Sequence, residues 1–504
     1  MSAPTYDLGT LHGGLRLDAH KRASTRMPLQ TIPVPERLVL PLDQHVGEPA
    51  TPVVAPGDRV LRGQLIARQS GAIGAAVHAS TSGTVVAIEP RPVARRHGDP
   101  APCIVIESDG EDRAVPPATT ASSAGDIGGE QLAARILDGG IVGLGGAVFP
   151  TAAKLAEARS AGLDTLILNG VECEPYLSCD DTLMRERADA IVAGGRLLLE
   201  ALGIDTAYLA VESDKPEALD ALADALGRSG DERFTLKQVP TIYPSGAEDQ
   251  LVQLVANREV PSGGLPTDAG CLVQNVGTAA AVYDWIERGE PLISRITTVT
   301  GPGVAKPLNV LVRLGTPVAD VIAFAGGYTD AARHLVIGGS MTGKSMSTDR
   351  VPVVKATNCI LVLSEARSSG PVRACIRCGE CAAVCPIRLL PQQLHWFAAA
   401  DDESALREHG LIDCIECGCC DLVCPSHLPL TTTFRTAKAR IRELEDEKAR
   451  ARRARRRFEA RRERLTREEE TLSADLDRQK RVAKSAGRDA IAEIMRRKRR
   501  QDDD

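Results

Sequence analysis

Residues 164–169 read DTLILN and residues 206–213 read TAYLAVES, two short apolar runs that are typical of buried strands. A third run, FTLKQVP, occupies residues 234–240. The spacing of apolar residues between and after these runs predicts helices over 182–203, 216–227 and 247–257. Strands that alternate with helices of this length indicate βαβ units and a mainly parallel, doubly wound sheet. We therefore expect a Rossmann-like α/β domain over residues 126–285.

The chain is long enough for several domains and has the composition of a globular protein. It has 504 residues, of which 43% are hydrophobic, and a single domain usually has roughly 100–150 residues. It contains no run of about 18 apolar residues that would predict a transmembrane helix. The N-terminal stretch MSAPTYDLGTLHGGLRLD lacks the charged and apolar segments of a signal peptide, which predicts a cytoplasmic protein.

Charge is distributed unevenly along the chain. Residues 431–504 carry 25 of the 61 basic residues but only 16 of the 67 acidic ones, so a basic tail follows an acidic body. Arg, Glu and Ala dominate this segment, which predicts a charged tail that is helical or disordered. Leu444, Phe458 and Leu472 fit a seven-residue repeat, but charged neighbours on the seam argue against a strong coiled coil. The only aromatic residues of the tail are Phe434 and Phe458, so we expect no nucleic-acid partner.

Two β-rich segments flank the α/β region. Residues 1–125 are rich in Pro, Gly and β-branched residues, and their pattern resembles the barrel-sandwich fold of lipoyl and biotinyl carriers. These carriers modify a lysine at a hairpin tip, but residues 53–87 contain no lysine, so we expect the carrier-like fold without carrier chemistry. Residues 111–130 are typical of a linker. Residues 286–350 alternate short β segments with glycine turns, which predicts a β-grasp-like, soluble-ligand-binding module.

Two cysteine runs with the same spacing are the strongest functional signal. The first reads CIRCGECAAVCP over residues 375–386, and the second reads CIECGCCDLVCP over residues 414–425. Both match C-x2-C-x2-C-x3-C-P, the ferredoxin pattern for [4Fe–4S] clusters, in which the fourth cysteine binds the other cluster. We therefore expect a ferredoxin-like, mainly helical domain with two clusters over residues 365–430. Cys419, the odd cysteine of the second run, is expected to be a non-ligand.

Crossed ligation assigns four thiolates to each cluster. One cluster is expected on Cys375, Cys378, Cys381 and Cys424. The other is expected on Cys414, Cys417, Cys420 and Cys385. A pair of zinc knuckles is the alternative, because two C-x2-C pairs can bind zinc. Two matching runs, each closed by a proline, favour iron–sulfur clusters over zinc.

A glycine-rich stretch, GLGGAVFPTAAK, precedes the first predicted strand and covers residues 143–154. Glycines let backbone N–H groups approach a phosphate, and Lys154 adds positive charge. The stretch lacks the G-K-[ST] ending of a P-loop, and it does not follow a strand as a Rossmann fingerprint does. The residues alone leave two interpretations open, a phosphate-binding loop and an ordinary loop that enters a helix.

Four motifs follow one another along the chain: residues 143–154, NGVECEP at 169–175, YPSGAED at 243–249 and NVGT at 275–278. Together they resemble the FMN- and NADH-binding motifs of the flavin-bearing subunit of respiratory complex I. The order of all the domains, with the carrier-like N-terminus and the twin ferredoxin motif, more closely resembles the C subunit of the Rnf (Rsx) ion-translocating electron-transport complex. This resemblance covers about residues 8–430.

The resemblance implies a role for each matching residue. Contacts to the FMN phosphate and ribityl chain would come from Gly143, Gly145 and Lys154. The rest of the FMN pocket would be formed by Asn169, Glu172, Gly246, Asn275 and Thr278. Catalytic contacts to the nicotinamide nucleotide would come from Glu174, Phe149, Gly146 and Glu248. Two positions depart from the family pattern, since Leu144 replaces an arginine and Val148 replaces a glycine, and the branched Val148 would crowd the nucleotide.

Several of these residues also have a purely structural interpretation. Ser245 and Glu248 have the spacing of a helix capping box, and the SCDD stretch that begins at Ser178 has a looser form of it. Glu172 and Glu174 follow a predicted strand, so plain surface carboxylates are the alternative for them.

The resemblance implies the electron-entry subunit of a membrane-bound, ion-translocating NADH:ferredoxin oxidoreductase, which is an oxidoreductase and translocase of enzyme class 7. Electrons would pass from NADH, the substrate, to FMN, then to two [4Fe–4S] clusters and to an iron–sulfur acceptor subunit, with ferredoxin reached indirectly. The implied location is the cytoplasmic face of the inner membrane, as a peripheral protein that binds the other subunits.

Two other functions are compatible with parts of this pattern. A soluble flavin and iron–sulfur protein that resembles cobalamin reductases has the same domain arrangement. A zinc-binding scaffold with a basic tail belongs to a different class. The sequence does not determine the direction of electron flow, the translocated ion or the cluster potentials, and NADH rather than NADPH follows from the resemblance alone.

Overall fold

The computed structural model describes residues 9–94, 98–116, 129–365 and 370–502. The chain divides into two compact units, Met1–Phe434 and Arg435–Asp504, each of which is described by itself. Most of the predicted linker, residues 117–128, lies outside the described residues.

The first domain consists of two small antiparallel sheets, as its Pro and Gly turns predict. Its elements are helix α1 (Arg22–Thr25) and strands β1 (Gln30–Thr31), β2 (Arg37–Pro41), β3 (Thr51–Pro52), β4 (Arg59–Val60), β5 (Leu65–Arg68), β6 (Val77–His78), β7 (Gly83–Pro92) and β8 (Pro100–Ser108). The larger sheet has the order β2-β8-β7-β4, and the smaller has the order β3-β5-β6. Strand β1 belongs to neither of these two sheets.

The second domain is the predicted α/β domain. Its elements are α2 (Gly129–Asp138), α3 (Thr151–Ala161), β9 (Thr165–Gly170), α4 (Cys179–Glu186), α5 (Ala188–Leu202), β10 (Ala207–Glu212), α6 (Pro216–Ser229), β11 (Phe234–Val239), α7 (Glu248–Ala256), a 3-10 helix (Pro266–Ala269), β12 (Cys271–Asn275) and α8 (Val276–Arg288). The four strands are parallel, in the order β11-β10-β9-β12. Leu166 and Leu168 pack in one core with helices α5 and α6, whereas Ile167 packs with α7 in another. The sheet is therefore covered on both faces, as a doubly wound fold requires.

The sequence predicts one continuous helix over 182–203, and this prediction is wrong because the structure has two helices there. Helix α4 begins at Cys179 and ends at Glu186, and α5 starts after Arg187. Arg187 leaves the helical conformation with φ −137° and ψ 35°, and its guanidinium donates hydrogen bonds of 2.6 and 2.9 Å to Asp284 of α8. An ion pair between distant segments therefore accompanies the break, and no local pattern indicates it. Strand β12 is likewise missing from the predicted strands.

The third domain contains a mixed six-stranded sheet of order β1-β14-β13-β17-β15-β16. Its own elements are β13 (Ser294–Thr300), β14 (Leu308–Arg313), helix α9 (Val318–Phe324), β15 (His334–Ile337), β16 (Lys344–Met346) and β17 (Cys359–Leu363). The sheet extends beyond the predicted module of residues 286–350, because β1 comes from the N-terminal segment and β17 follows the module. Val310 and Val318 share one hydrophobic core with Leu40 and Ile66 of the first domain.

Short helices and loops hold the two cysteine runs. They comprise α10 (Glu380–Ala383), α11 (Pro391–Ala399), α12 (Glu403–Glu408), a 3-10 helix (Leu411–Asp413) and α13 (Cys419–Leu422). Helix α14 (Leu430–Asp502) follows them. This part of the chain is helical, as the ferredoxin-like pattern predicts.

The second unit, from Arg435 onward, consists of helix α14 residues. Charged pairs one turn apart support it, such as Arg455 with Glu459 at 2.8 Å and Arg497 with Glu493 at 3.4 Å. Of the two predicted alternatives for the tail, the structure has the helix. Within the described ranges, none of the helices has both the length and the apolar character needed to cross a membrane.

Candidate functional site

The candidate site is a cavity of about 530 Å³, here called the large cavity, at the carboxyl end of the parallel sheet. Ligand sites of open α/β sheets lie at this end. Seven of the twelve residues that the resemblance assigns to FMN or the nicotinamide nucleotide line it: Gly145, Gly146, Asn169, Glu172, Glu174, Gly246 and Asn275. Five others do not line it: Gly143, Phe149, Lys154, Glu248 and Thr278. The large cavity therefore brings together residues of all four motifs, and Asn275 is the residue that the fourth motif contributes.

The glycine-rich loop reaches the large cavity through its middle residues. The backbone N–H of Gly143 donates to the carbonyl of Phe149 at 2.9 Å, which closes the base of the loop. Between them, Gly145, Gly146 and Val148 line the cavity. Val148 has φ +48°, a left-handed conformation that glycine adopts freely and a β-branched residue rarely does. The valine that departs from the family motif therefore lies in the cavity wall in a strained backbone conformation.

Two asparagines at the carboxyl ends of the neighbouring strands β9 and β12 fix the cavity wall. Asn169 donates from Nδ2 to the Gly246 carbonyl at 2.9 Å, so it joins the second and third motifs. Asn275 caps helix α8, since its side chain accepts the N–H of Gly277 at 2.8 Å. Thr278, one turn into the helix, accepts the N–H of Leu144 at 3.0 Å and so positions the glycine-rich loop from behind. The cavity thus lies at a helix N-terminus, which favours an anionic group such as a phosphate.

Glu172 and Asp180 form a pair of carboxylates in the wall of the large cavity. Glu172 is buried at the start of α4 and accepts the backbone N–H of Asp180 at 2.9 Å. Burial raises its pKa, and the neighbouring Asp180 raises it further against the opposing charges of Lys21 and Lys215. Burial also raises the pKa of Asp180, although Asn275 donates a hydrogen bond of 2.7 Å to it. Glu172 is therefore not a plain surface carboxylate, and that interpretation is wrong. The raised pKa values favour the protonated forms of Glu172 and Asp180.

Glu174 is bound by a hairpin of the third domain. Its Oε1 accepts the backbone N–H groups of Met341 at 2.7 Å and Thr342 at 2.6 Å. Its Oε2 accepts the hydroxyl of Thr342 at 2.9 Å. The carboxylate therefore ties the NGVECEP motif to the turn between β15 and β16, and it is not a plain surface group.

Lys154 and Glu248 pair with each other instead of lining the cavity. The Lys154 Nζ donates to Glu248 at 2.7 Å and to the Val273 carbonyl at 2.8 Å. Glu248 begins α7, but Ser245 makes no capping hydrogen bond, and its buried hydroxyl has no partner among the described residues. The capping-box interpretation is therefore wrong. The looser form at Ser178 is also wrong, because its hydroxyl pairs with other polar side chains rather than with the helix.

The cysteine runs surround two further small cavities. One is lined by Cys375, Cys378, Cys381 and Cys424, here called the first cysteine set. The other is lined by Cys414, Cys417, Cys420 and Cys385, here called the second cysteine set, and also by Cys419. Each set contains three cysteines of one run and the last cysteine of the other. This is the arrangement that crossed ligation requires.

Equivalent residues of the two runs adopt the same uncommon backbone conformation. Arg377 and Glu416 have φ values of 58° and 56°, and Gly379 and Gly418 have φ values of 84° and 76°. A four-residue helix, α10 or α13, follows each glycine. The chain therefore builds the same cysteine loop twice.

The spacing of the thiols bears on the choice between zinc and iron–sulfur clusters. Zn–S bonds of about 2.3 Å in a tetrahedron put the four sulfurs roughly 3.8 Å apart. Among the described residues, only Glu172, Cys179 and Asp180 bring three potential ligand atoms within 4.8 Å of one another. Neither cysteine set therefore brings three thiols as close together as the ligands of a zinc site.

The large cavity and the second cysteine set share a wall. Cys417 lines both cavities, together with its neighbour Ile415. Tyr243 also lines the large cavity, and its hydroxyl donates to the Cys417 carbonyl at 2.6 Å. Cys419 is fully buried and packs in a small cluster with Tyr243 and Met341. A group bound in the large cavity would thus lie next to a group bound by the second cysteine set.

Sequence reasoning misses several residues of this site. Asp180, Tyr243 and Lys344 all line the large cavity, and so do glycines of the turn at residues 338–343. The stretch GGSMTGK over residues 338–344 combines glycines with a lysine, which is the signal that could have indicated a binding loop.

Family models match three parts of the chain. The Nuo51 FMN-binding domain matches residues 136–284, and the RnfC barrel sandwich hybrid domain matches residues 9–111. The SLBB domain matches residues 296–345. These matches fall on the α/β domain, the first domain and the third domain.

Related proteins match over most of the chain. The C subunit of the ion-translocating oxidoreductase complex of Pseudomonas aeruginosa is 48% identical over 468 residues, which is 92% of this chain and 60% of that protein. The protein of the same name from Rhodobacter capsulatus is 43% identical, over 87% of this chain and 84% of that protein. A crystal structure of an NAD+-reducing [NiFe]-hydrogenase is 23% identical, covers 55% of this chain and 50% of its own, and has a TM-score of 0.42. The chain spans about 60% of the length of the Pseudomonas relative. Its identity with the two bacterial relatives shows that the chain belongs to the RnfC family, the C subunits of ion-translocating oxidoreductase complexes.

Proposed function

We propose that this chain holds FMN in the large cavity and a [4Fe–4S] cluster on each cysteine set, and that it passes electrons from NADH to a partner subunit. The observation that carries the proposal is the wall shared through Cys417 by the large cavity and the second cysteine set. When bound, FMN accepts two electrons from NADH as a hydride and releases them singly to iron–sulfur clusters.

The large cavity suits a flavin nucleotide. Its volume of about 530 Å³ is in the range of cofactor sites. Gly145 and Gly146 offer backbone without side chains, and the N-terminus of α8 at Asn275 attracts a phosphate. Burial raises the pKa values of Glu172 and Asp180 beside the cavity, which favours their protonated forms. These features support FMN, in line with the FMN-binding model that matches this domain.

The positions of the cysteine sets support an order for the electron path. The second set adjoins the large cavity through Cys417, so its cluster receives electrons first. The first set contains Cys378, which is exposed, so its cluster lies nearer the surface. Val372 and Ile376 beside it are 63% and 66% exposed, as expected for apolar residues that a partner covers. The first set is therefore the exit toward an iron–sulfur acceptor subunit.

The partners and location follow from the family. As an RnfC protein, the chain would bind other subunits of an ion-translocating NADH:ferredoxin oxidoreductase, at the cytoplasmic face of the inner membrane, and ferredoxin would be reached through them. A cobalamin-reductase-like role would use the same flavin and clusters with a different acceptor. The zinc scaffold is disfavoured, because neither cysteine set has the contracted spacing of a zinc site.

Two cysteine variants test the order and the crossed ligation together. Cys385→Ser removes a ligand of the second set, so NADH should no longer reduce the cluster that remains on the first set. Cys424→Ser removes a ligand of the first set, so NADH should still reduce the cluster on the second set. The readout is the electron paramagnetic resonance signal after NADH, compared with that after dithionite, in anaerobic protein.

Cys419→Ala is the matched control, because this cysteine lies in the second run and is expected to be a non-ligand. It should keep both clusters and their reduction by NADH. Reduction of the remaining cluster in the Cys385 variant, together with its loss in the Cys424 variant, would contradict the combination of crossed ligation with the proposed order.

A further inference from the structure

One basic side chain lies among the acidic ones around the large cavity. Its described lining includes four carboxyl groups, those of Asp43, Glu172, Glu174 and Asp180. Within the same described lining, Lys344 is the one lysine or arginine. Phosphate groups of a nucleotide carry negative charge, so Lys344 is the side chain of this wall that would attract them.

Lys344 reaches the cavity from the third domain. It is the first residue of β16 and pairs with Ile337, the last residue of β15, so it stands at the base of a hairpin turn. Gly338, Gly339, Thr342 and Gly343 of that turn also line the cavity. The turn therefore presents a cation and the side-chain-free backbone of its glycines to one side of the cavity, and both can bind phosphate oxygens.

Glu174 holds this hairpin in place. It accepts two backbone N–H groups and one hydroxyl from Met341 and Thr342, at 2.6 to 2.9 Å. A Cβ at Gly339 would overlap the Glu174 carboxylate, so the close approach of the turn requires a glycine there. Glu174 is thus a positioning residue that fixes the turn beside the flavin domain.

The lysine first expected to bind phosphate, Lys154, does not line the large cavity, whereas Lys344 does. Lys344 is therefore better placed to meet a phosphate inside the cavity.

We propose that the β15–β16 hairpin is a nucleotide-phosphate clamp, in which Lys344 binds a phosphate oxygen and Glu174 positions the turn. This inference rests on the proposed function, because it assumes that the cavity binds nucleotides. The phosphate belongs either to FMN or to the pyrophosphate of the nicotinamide dinucleotide. Both sources would offer phosphate oxygens to Lys344. They differ in whether the affinity for FMN or the affinity for NADH depends on Lys344.

Lys344→Gln and Lys344→Arg test the clamp, with Lys306→Gln as the control at an exposed lysine of the same domain. Protein freed of flavin is titrated with FMN and with riboflavin, which lacks the phosphate, and flavin-loaded protein is titrated with NADH under anaerobic conditions. If FMN is the source, Lys344→Gln weakens FMN binding by roughly tenfold or more but leaves riboflavin binding unchanged. If the dinucleotide is the source, the variant retains FMN and weakens NADH binding by a similar factor.

In either case Lys344→Arg restores most of the affinity, and the control behaves as the wild type. The clamp is contradicted if Lys344→Gln binds FMN and NADH like the wild type, or if FMN and riboflavin weaken equally. Failure of the proposed function looks different, because the wild-type chain would then bind neither FMN nor NADH.

Discussion

Lys355 lies where the three domains of the first unit meet, and it is fully buried. Its Nζ donates to the carbonyls of Ala76 at 2.8 Å and Gly140 at 2.7 Å. Burial lowers the pKa of this amine to about 7, whereas an unfolded lysine has a pKa of about 10.4. At pH values between these two pKa values, the unfolded chain binds more protons than the folded chain. The free energy of unfolding therefore rises with pH over this range and decreases as the pH falls toward 7.

We expect Lys355→Met to abolish this pH dependence. Relative to the variant, the wild type should gain up to roughly 4 kcal/mol in free energy of unfolding between about pH 7 and pH 10. Urea unfolding at the two pH values measures the gain. Lys306→Met, at an exposed lysine, should keep the dependence of the wild type. A difference between wild type and Lys355→Met that is equal at both pH values would show that the amine titrates normally.

The hydroxyl oxygen of Tyr243 allows a second test, which concerns the potential of the cluster on the second cysteine set. Its hydroxyl donates to the carbonyl of Cys417, which the proposed function makes a cluster ligand. Such a donor offsets the partial negative charge of this backbone carbonyl beside the ligand and so favours the more negative, reduced cluster. Tyr243→Phe should therefore lower the potential of that cluster by no more than about 40 mV, the one-electron equivalent of about 1 kcal/mol.

The measurement is a redox titration followed by electron paramagnetic resonance. Tyr328→Phe is the control, because it removes a hydroxyl that pairs with Asp349 far from the cysteine sets along the chain. An unchanged cluster potential in Tyr243→Phe would mean that the hydroxyl has no electronic influence on the site.

Helices α5 and α8 approach each other through a glycine. A Cβ on Gly194 of α5 would overlap the carbonyl oxygen of Ala279 in α8. Gly194→Ala should therefore destabilise the domain by about 1–3 kcal/mol, despite the better helix propensity of alanine. Since α8 begins beside Asn275, the same change should reduce FMN retention. Thermal melting and flavin content measure the two effects.

Gly227→Ala in α6 is the matched control, because the space around that glycine is open. It should be neutral or stabilise by up to about 1 kcal/mol. Equal melting temperatures for the two variants would contradict the close helix contact.

Some elements can be predicted from the local sequence, whereas other features depend on contacts with distant residues. The strands β9, β10 and β11 and helices α6 and α7 are predicted from the sequence, because their apolar spacing lies within each segment. The break at Arg187 depends on Asp284, about a hundred residues away, so no local pattern contains it. In the site, the cysteine loops are predictable because their spacing is short and repeated. The roles of Lys154 and Glu174 are not, since their partners Glu248 and Thr342 come from distant segments.

The large cavity and the tail belong to different units of the chain. Residues 435–504 form their own unit, and all the lining residues of the large cavity belong to the first unit. A chain that ends at Phe434 should therefore keep its NADH-dependent flavin reduction within about twofold of the full chain. The cut follows Phe434 because Thr431 and Phe434 line the second cysteine cavity. Stopped-flow flavin bleaching measures the rate, and a truncated protein that binds FMN but fails to reduce it would contradict this division.

The proposed function joins a flavin site to two iron–sulfur clusters in one chain. Anaerobic purification with analysis of iron, sulfide, zinc and FMN, followed by a visible spectrum before and after NADH, tests this combination. We expect about eight irons and one FMN per chain, with bleaching of both flavin and cluster bands by NADH. Zinc in place of iron, or iron without FMN and without any response to NADH, would contradict the proposed function.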